Sequence, residues 1–333
     1  MPIKLLINTV LFLNILNTES YAMQINEPEY YVKLNMQNCP RIIDINGIVI
    51  ERNMKGHSSN AEYPINHWIK NGENTISFHY GPEDFVKSLT DDNSVCNAAV
   101  WVKGTAEDQA INYKIVDLDY LPDYEIDISL RHKNSMPSGH YAFSDNNSVI
   151  PSDNNSDFHI GDIQIGNGEF ESVAGRVYRT FTATVPFPEW GFFTGDKISF
   201  YPYDKSLYKS MKNELWPMVL EYWDMFESQE IDKLIPLFEE RSKELDIAYY
   251  REPGYSIKSF ENDLRNIYKA NYPLNRKESK QMKLVVSYNE QLVTIVNAAN
   301  QIGTVMFYDK DSDSNTFFDI VWMKKDGKWI VAR

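Results

Sequence analysis

A change of hydrophobic period near residue 209 constrains this chain more than any other feature. Before it, apolar residues alternate with polar ones in short runs broken by Gly, Pro, Asn and Asp. After it, apolar residues recur every three or four positions, and then the two-residue period returns. Period two places successive side chains on opposite faces of a strand, and period 3.6 lines one face of a helix. The 333 residues therefore divide into an all-β sandwich or jelly roll over 23–208 and an α+β domain over 209–333, behind an N-terminal export segment, 1–22.

In the first region Tyr30–Asn35 alternates, and Arg41–Ile45 and Ile48–Arg52 flank Asn46-Gly47. Asn and Gly both tolerate positive φ, so this pair predicts a two-residue hairpin. Further strands are expected at Thr75–Tyr80, Val95–Val102, Ile111–Asp117, Tyr124–Arg131, Phe158–Ile165, Arg176–Val185 and Lys197–Tyr203. Two polar SDNNS tracts, Ser144–Ser148 and Ser152–Ser156, read as loop, being too polar to bury. The stretch from Pro64 to Ile76 (PINHWIKNGENTI) resembles an element of galactose-binding-like jelly rolls. That resemblance implies the fold and no sugar site.

In the second region Leu215, Val219, Trp223 and Phe226 line one face of a helix over Asn213–Glu227, with Pro217 expected in its first turn. A second helix carries Ile231, Leu234, Ile235, Phe238 and Leu245, kinked at Pro236, and a third spans Ser256–Tyr272. Five strands follow in series: Leu284–Tyr288, Leu292–Asn297, Thr304–Tyr308, Phe317–Met323 and Trp329–Ala332. Trp223–Leu234 (WDMFESQEIDKL), followed by Leu237-Phe238, resembles the first helical hairpin of nuclear-transport-factor-like, cystatin-like cone domains. Phe318–Ile330, with its Asp-Gly-Lys-Trp turn, resembles their closing strand pair. The resemblance implies helices on one face of an antiparallel sheet. Such cones serve isomerases, dehydratases and binding modules, so the fold does not name the function.

Compartment and charge narrow the function. Lys4, the apolar run Leu5–Leu16 and Ser20-Tyr21-Ala22 form a secretory signal with expected cleavage after Ala22. Its apolar run falls short of the roughly 20 residues that span a bilayer, so no membrane insertion is expected after cleavage. The location expected is a bacterial periplasm or the exterior. There, Cys39 and Cys96 read as one disulfide, with two buried free thiols as the alternative. The chain carries 33 Lys+Arg against 47 Asp+Glu, net −14. An acidic surface disfavours nucleic acid and anionic lipid. Residues 211–333 hold 17 basic and 20 acidic side chains, net −3, leaving net −11 to the remainder. That imbalance reads as a solvated surface that keeps the chain soluble, or as a face for a basic protein partner.

Chemical motifs are sparse. All six histidines, His57, His67, His79, His132, His140 and His159, precede the second domain. His132 and His140, with Asp145 and His159, lack the spacing of a zinc motif, and no metal or cofactor is expected. Asp309–Asn315 opens like a calcium loop but has Ser314 and Ile320 where Gly and Glu belong. No nucleophile elbow surrounds Ser138, and Gly166-Asn167-Gly168 is no phosphate loop. Tyr222, Asp224, Asp246, Tyr249 and Tyr250 are the candidates for a carboxylate-based or small-ligand site in a cone pocket. Aromatics from Phe181 to Trp216, Trp190 among them, read as a seam between domains, or as a carbohydrate platform. The function expected is a non-enzymatic exported binding protein with a protein-recognition surface, such as an immunity-type protein. A small-ligand or carbohydrate binder and a carboxylate enzyme are the alternatives.

Overall fold

The computed structural model describes residues 25–53, 56–80, 95–106, 109–119, 139–143, 149–151, 159–160, 164–167, 175–200, 204–287, 289–298, 303–310 and 312–333. The expected signal segment 1–22, the strand Tyr124–Arg131 and both SDNNS tracts lie outside these residues.

The N-terminal part is a sandwich of antiparallel sheets. One sheet runs β4 (Ser59–Pro64), β1 (Asn26–Gln37), β6 (Val95–Ala106), β7 (Gln109–Asp119). The other runs β3 (Ile48–Asn53), β2 (Arg41–Ile45), β5 (Gly72–Tyr80), β12 (Gly175–Ala183), β10 (His159–Ile160), β8 (Gly139–Phe143), β9 (Val149–Pro151), with β11 (Gln164–Asn167) also on β12. Alternation sorts the faces: Tyr30, Val32, Leu34 and Met36 of β1 join Ile43, Ile45, Ile76, Phe78, Val100 and Val116 in one core. The β2–β3 turn is as expected, with Asn46 at φ 53° and Gly47 at φ 79°. Cys39 and Cys96 are joined in a disulfide, Cα atoms 5.7 Å apart, buried in that core. Strand β4 escaped the sequence reading because it is an edge strand of alternating half-buried and exposed residues, SNAEYP.

The C-terminal part is α+β. Helix α1 (Lys205–Glu227) starts earlier than the apolar periodicity predicts, because Asp204 caps it, accepting from Ser206 N at 2.7 Å and Leu207 N at 3.1 Å. Pro217 therefore lies deep inside the helix rather than in its first turn, on the solvent side. The expected second helix is split into α2 (Ile231–Leu237) and α3 (Glu239–Ala248), with Phe238 between them, just after Pro236. Helix α4 (Tyr255–Lys269) follows.

The strands do not form one uninterrupted meander. β13 (Met282–Val286), β14 (Leu292–Asn297), β17 (Val321–Lys325) and β18 (Lys328–Val331) make a sheet, whereas β15 (Val305–Asp309) pairs with β16 (Ser314–Phe318) and, through an isolated bridge from Phe307, with Leu274. The expected strand Phe317–Met323 is two strands, broken at Asp319-Ile320. Of the calcium-loop-like stretch, Asp309, Ser314 and Asn315 are paired strand residues of the β15–β16 hairpin, where Tyr308 Oη donates to Asp313 Oδ1 at 2.7 Å.

The interior of this half is aromatic. Trp223, Phe226, Phe238, Phe260, Phe307 and Trp322 fill the space between helices and sheet. Phe226 stacks on Phe318, and Tyr222 on Trp322. Among the described residues no helix is long and apolar enough to cross a membrane.

Lys197–Tyr203 is not a strand where it is described. Residues 196–200 run irregularly along the second half, with Asp196 N bonded to Lys324 O and Ile198 N to Glu290 O. The preceding segment packs inward. Phe187, Trp190 and Phe192 share the sandwich core with Ala248, Leu292, Met323 and Ala332, so the two halves meet through apolar contact.

Candidate recognition surface at the domain junction

Asn66 sits on a short 3-10 turn, Asn66–Trp68, and is fully buried. Its Oδ1 accepts from Tyr30 N at 2.7 Å, and its Nδ2 donates to Pro28 O at 2.9 Å and Ala248 O at 2.7 Å. Its own carbonyl accepts from Trp190 Nε1 at 3.0 Å. A buried amide with three bonds is stable where an unpaired one is costly, so this side chain fixes the end of α3 to the sandwich.

Around it a set of polar groups shares the junction with the apolar seam. Glu244 of α3 accepts from Gly191 N at 2.8 Å and pairs with Arg333. The Arg333 guanidinium lies 4.5 Å from the Phe192 ring centroid and 5.4 Å from that of Trp68, and donates to His67 O at 3.2 Å. His67 Nδ1 lies 2.6 Å from Tyr249 Oη. Burial, and then Arg333, Arg241 and Arg251, hold the His67 imidazole well below its usual pKa. Burial also lowers Arg241 to about 10, with Arg333 adding to the fall and Asp319 opposing it. The Asp319 carboxyl is pushed up by burial, against the pull of Arg241.

The outer edge of this junction is a built loop. Asp246 is buried, and its two oxygens accept from Gly254 N at 2.7 Å and Ser256 N at 2.8 Å. Its carbonyl accepts from Arg251 N at 2.8 Å. Tyr250 turns the chain at φ 53°, and Gly254 at φ 86° lets α4 begin. Arg251 is thereby placed between two rings, 5.1 Å from the Tyr249 centroid and 5.3 Å from that of Tyr255. Its Nη1 also donates to Ser256 Oγ at 3.1 Å. Tyr255 is 56% exposed and Ile247, near the end of α3, 48%.

The structure brings four of the six candidate site residues together and leaves two apart. Trp190, Asp246, Tyr249 and Tyr250 meet at the junction, where Tyr250 Oη donates to Pro28 O at 3.1 Å. Trp190 is 1% exposed and stacked on Phe187, centroids 4.7 Å apart, so it belongs to the seam and offers no open face to a sugar. Tyr222 is buried inside the second half. Asp224 is on its surface, paired with Arg276 at 2.7 Å. Of the metal candidates, His140 and His159 stand opposite each other in the β8–β10 register, and His132 and Asp145 lie outside the described residues. Among the described residues no cluster of His, Cys, Asp or Glu could hold a metal ion.

Sequence reasoning missed Asn66, His67, Arg251, Tyr255 and Arg333. Two signals were available. Asn66 is a polar residue inside the apolar run Pro64–Ile69, and Arg251-Glu252-Pro253-Gly254-Tyr255 has the Pro-Gly signature of a designed turn.

Comparisons with protein families, with curated proteins and with solved structures find no match to this chain. Neither half is thereby tied to the galactose-binding-like or nuclear-transport-factor-like families.

Proposed function

We propose that this chain is an exported, non-enzymatic binding protein that recognises a protein partner through the α3–α4 loop. The observation that carries the reading is Arg251 held between Tyr249 and Tyr255 on a loop pinned by buried Asp246. Tyr and Arg dominate the energetics of protein interfaces. Their entropic cost of ordering is small when the free protein already holds them in place. The disulfide and the signal-like N-terminus support export to an oxidising compartment, with cleavage after Ala22 and a bacterial periplasm or the exterior as destination. The net charge of −14 favours a partner with a basic surface, which long-range attraction would speed toward the site.

Residues 23–333, tagged and expressed in the periplasm of the native host, would be captured gently and weighed as intact complexes. The expected result is one stoichiometric protein partner, lost from an Arg251→Ala/Tyr255→Ala variant whose melting temperature is unchanged. Each truncation is expected to weaken the complex by about 2 kcal/mol or more. A partner retained by that variant would move the surface elsewhere, and a bare monomer from both proteins would end the recognition reading.

A further inference from the structure

A second concave site lies on the junction, separate from the Arg251 loop. It is a cleft of about 360 Å³. Its walls come from four places: the β2–β3 turn (Asn46, Gly47), the approach to β5 and its start (Lys70, Glu73, Thr75), the linker (Phe193, Lys197) and the β13–β14 turn (Asn289, Glu290, Gln291). Both halves of the protein are needed to form it.

The walls are fixed by hydrogen bonds that leave other groups unspent. Asn46 Nδ2 donates to Trp68 O at 2.9 Å and Asn74 Oδ1 at 2.8 Å, and its Oδ1 accepts from Thr75 N at 2.9 Å. Gln291 Nε2 donates to Phe193 O at 2.6 Å and Gly195 O at 3.2 Å. This bolts the linker to the β13–β14 turn. Asn289 Oδ1 accepts from Gln291 N at 3.2 Å and from Ser287 Oγ, while its Nδ2 is shielded from water and has no partner. Among the described residues the Thr75 hydroxyl makes no hydrogen bond and Lys70, Lys197 and Glu73 make no ion pair. Lys70 Nζ lies 5.7 Å from the Phe193 ring centroid.

We propose that this cleft binds a small neutral saccharide. The volume is in the range of ligand pockets, roughly 300–1,000 Å³. The walls carry Lys70 and Lys197 against Glu73 and Glu290, so neither charge sign is in excess. A charged ligand would set one of its own charges against a like-charged wall. A sugar hydroxyl both donates and accepts, so it satisfies an ammonium, a carboxylate and a hydroxyl alike. The half-exposed Phe193 ring supplies apolar surface for the C–H face of a sugar ring.

The test is amide NMR of the full mature chain titrated in turn with methyl glucoside, N-acetylglucosamine and maltose. The expected result is saturable shifts confined to 46–47, 70–75, 193–197 and 289–291 for at least one of the three. Thr75→Val, which keeps shape and loses the hydroxyl, should weaken that binding about 2- to 10-fold, the range of one hydrogen bond. Lys197→Gln, at an exposed position, should weaken it without changing the spectrum of the free protein. No shifts with any of the sugars, shifts outside the cleft, or unaltered binding by both variants would overturn the proposal. Preferential binding of glycine or inorganic phosphate, used as charged controls, would overturn it too. The Arg251→Ala/Tyr255→Ala variant should bind sugar normally, which separates the two sites.

Discussion

The two halves of this molecule solve the problem of a buried interior by different chemistry. The sandwich closes its core with a disulfide and places ionic groups deep within its layers. Arg41, which is 0% exposed, pairs with Glu51 and donates to the carbonyls of Cys39 and His57. Asp44 pairs with His79, and Arg179 lies 3.9 Å from Asp117. The helical half buries rings instead, its ionic pairs lying mainly on the surface, as with Arg276 to Asp224 and Glu227. Aromatic packing rewards close fit and tolerates no cavity, whereas buried ion pairs contribute little net stability but punish the loss of one partner. The two halves should therefore answer mutation differently.

The largest effects should come from breaking each interior on its own terms. Trp223→Ala removes a ring that is 1% exposed and a 2.8 Å bond from Nε1 to Thr304 O, and should cost up to about 5 kcal/mol by chemical denaturation. Arg41→Ala leaves Glu51 buried without its cation and should cost about 3–5 kcal/mol. The contrast lies in rescue. Arg41→Met combined with Glu51→Leu should recover much of that loss, because no buried charge is left alone, although Tyr63 Oη loses its bond to Glu51. No single partner change should rescue Trp223→Ala. Equal rescue in both halves would erase the distinction.

Reduction of Cys39–Cys96 comes next. Its loop spans 57 residues, and reopening it should cost about 4 kcal/mol in the chain-entropy picture. The loss belongs to the sandwich, so thermal unfolding followed by far-ultraviolet circular dichroism should keep its helical signal after the strand signal has gone. Simultaneous loss of both would mean that the junction transmits the damage.

How much of this was legible in the sequence depends on whether the deciding partner is local. Asn46-Gly47 and Asp326-Gly327 sit at positive φ as their turn chemistry requires, and Leu292–Asn297 is a strand with the expected bounds. The division into sandwich and α+β halves follows from period alone. Pro217 misled because the helix start is set by Asp204, a polar residue outside the apolar pattern. Phe317–Met323 read as one strand because the apolar pattern runs on through Asp319, where the chain leaves one sheet for another. The junction was hardest. Asn66 bonds to Ala248 across 182 residues, and no local pattern carries that information.

Asn66→Ala tests the junction directly. It strands Tyr30 N–H and the carbonyls of Pro28 and Ala248, and should cost about 3 kcal/mol. The informative readout is cooperativity. A single calorimetric transition in the wild type should split into two, one for each interior. If the peak merely moves to lower temperature, the apolar seam of Phe187, Phe192, Leu292 and Met323 holds the halves together without the amide.

The smallest effect sharpens the same point through pH. His67 is held neutral in the folded state by burial and by Arg333, Arg241 and Arg251, while Tyr249 Oη meets its Nδ1 and Glu244 offsets Arg333. Its folded pKa lies below the ordinary 6.5, so between the two values the unfolded chain binds a proton that the folded protein refuses. Stability then rises with pH through that window and is lost as pH falls below 6.5. Protonation would add a cation beside three others, at the contact between the sandwich and α3. His67→Gln should flatten this acid limb of the stability curve while leaving stability near neutral pH within about 1 kcal/mol. Buried Tyr30 and half-buried Tyr63 and Tyr268, each raised to about 12, should act at the opposite end, lowering stability as pH climbs above 10 in variant and wild type alike. An acid limb unchanged by His67→Gln would assign the sensitivity to another group and leave the junction insensitive to acid.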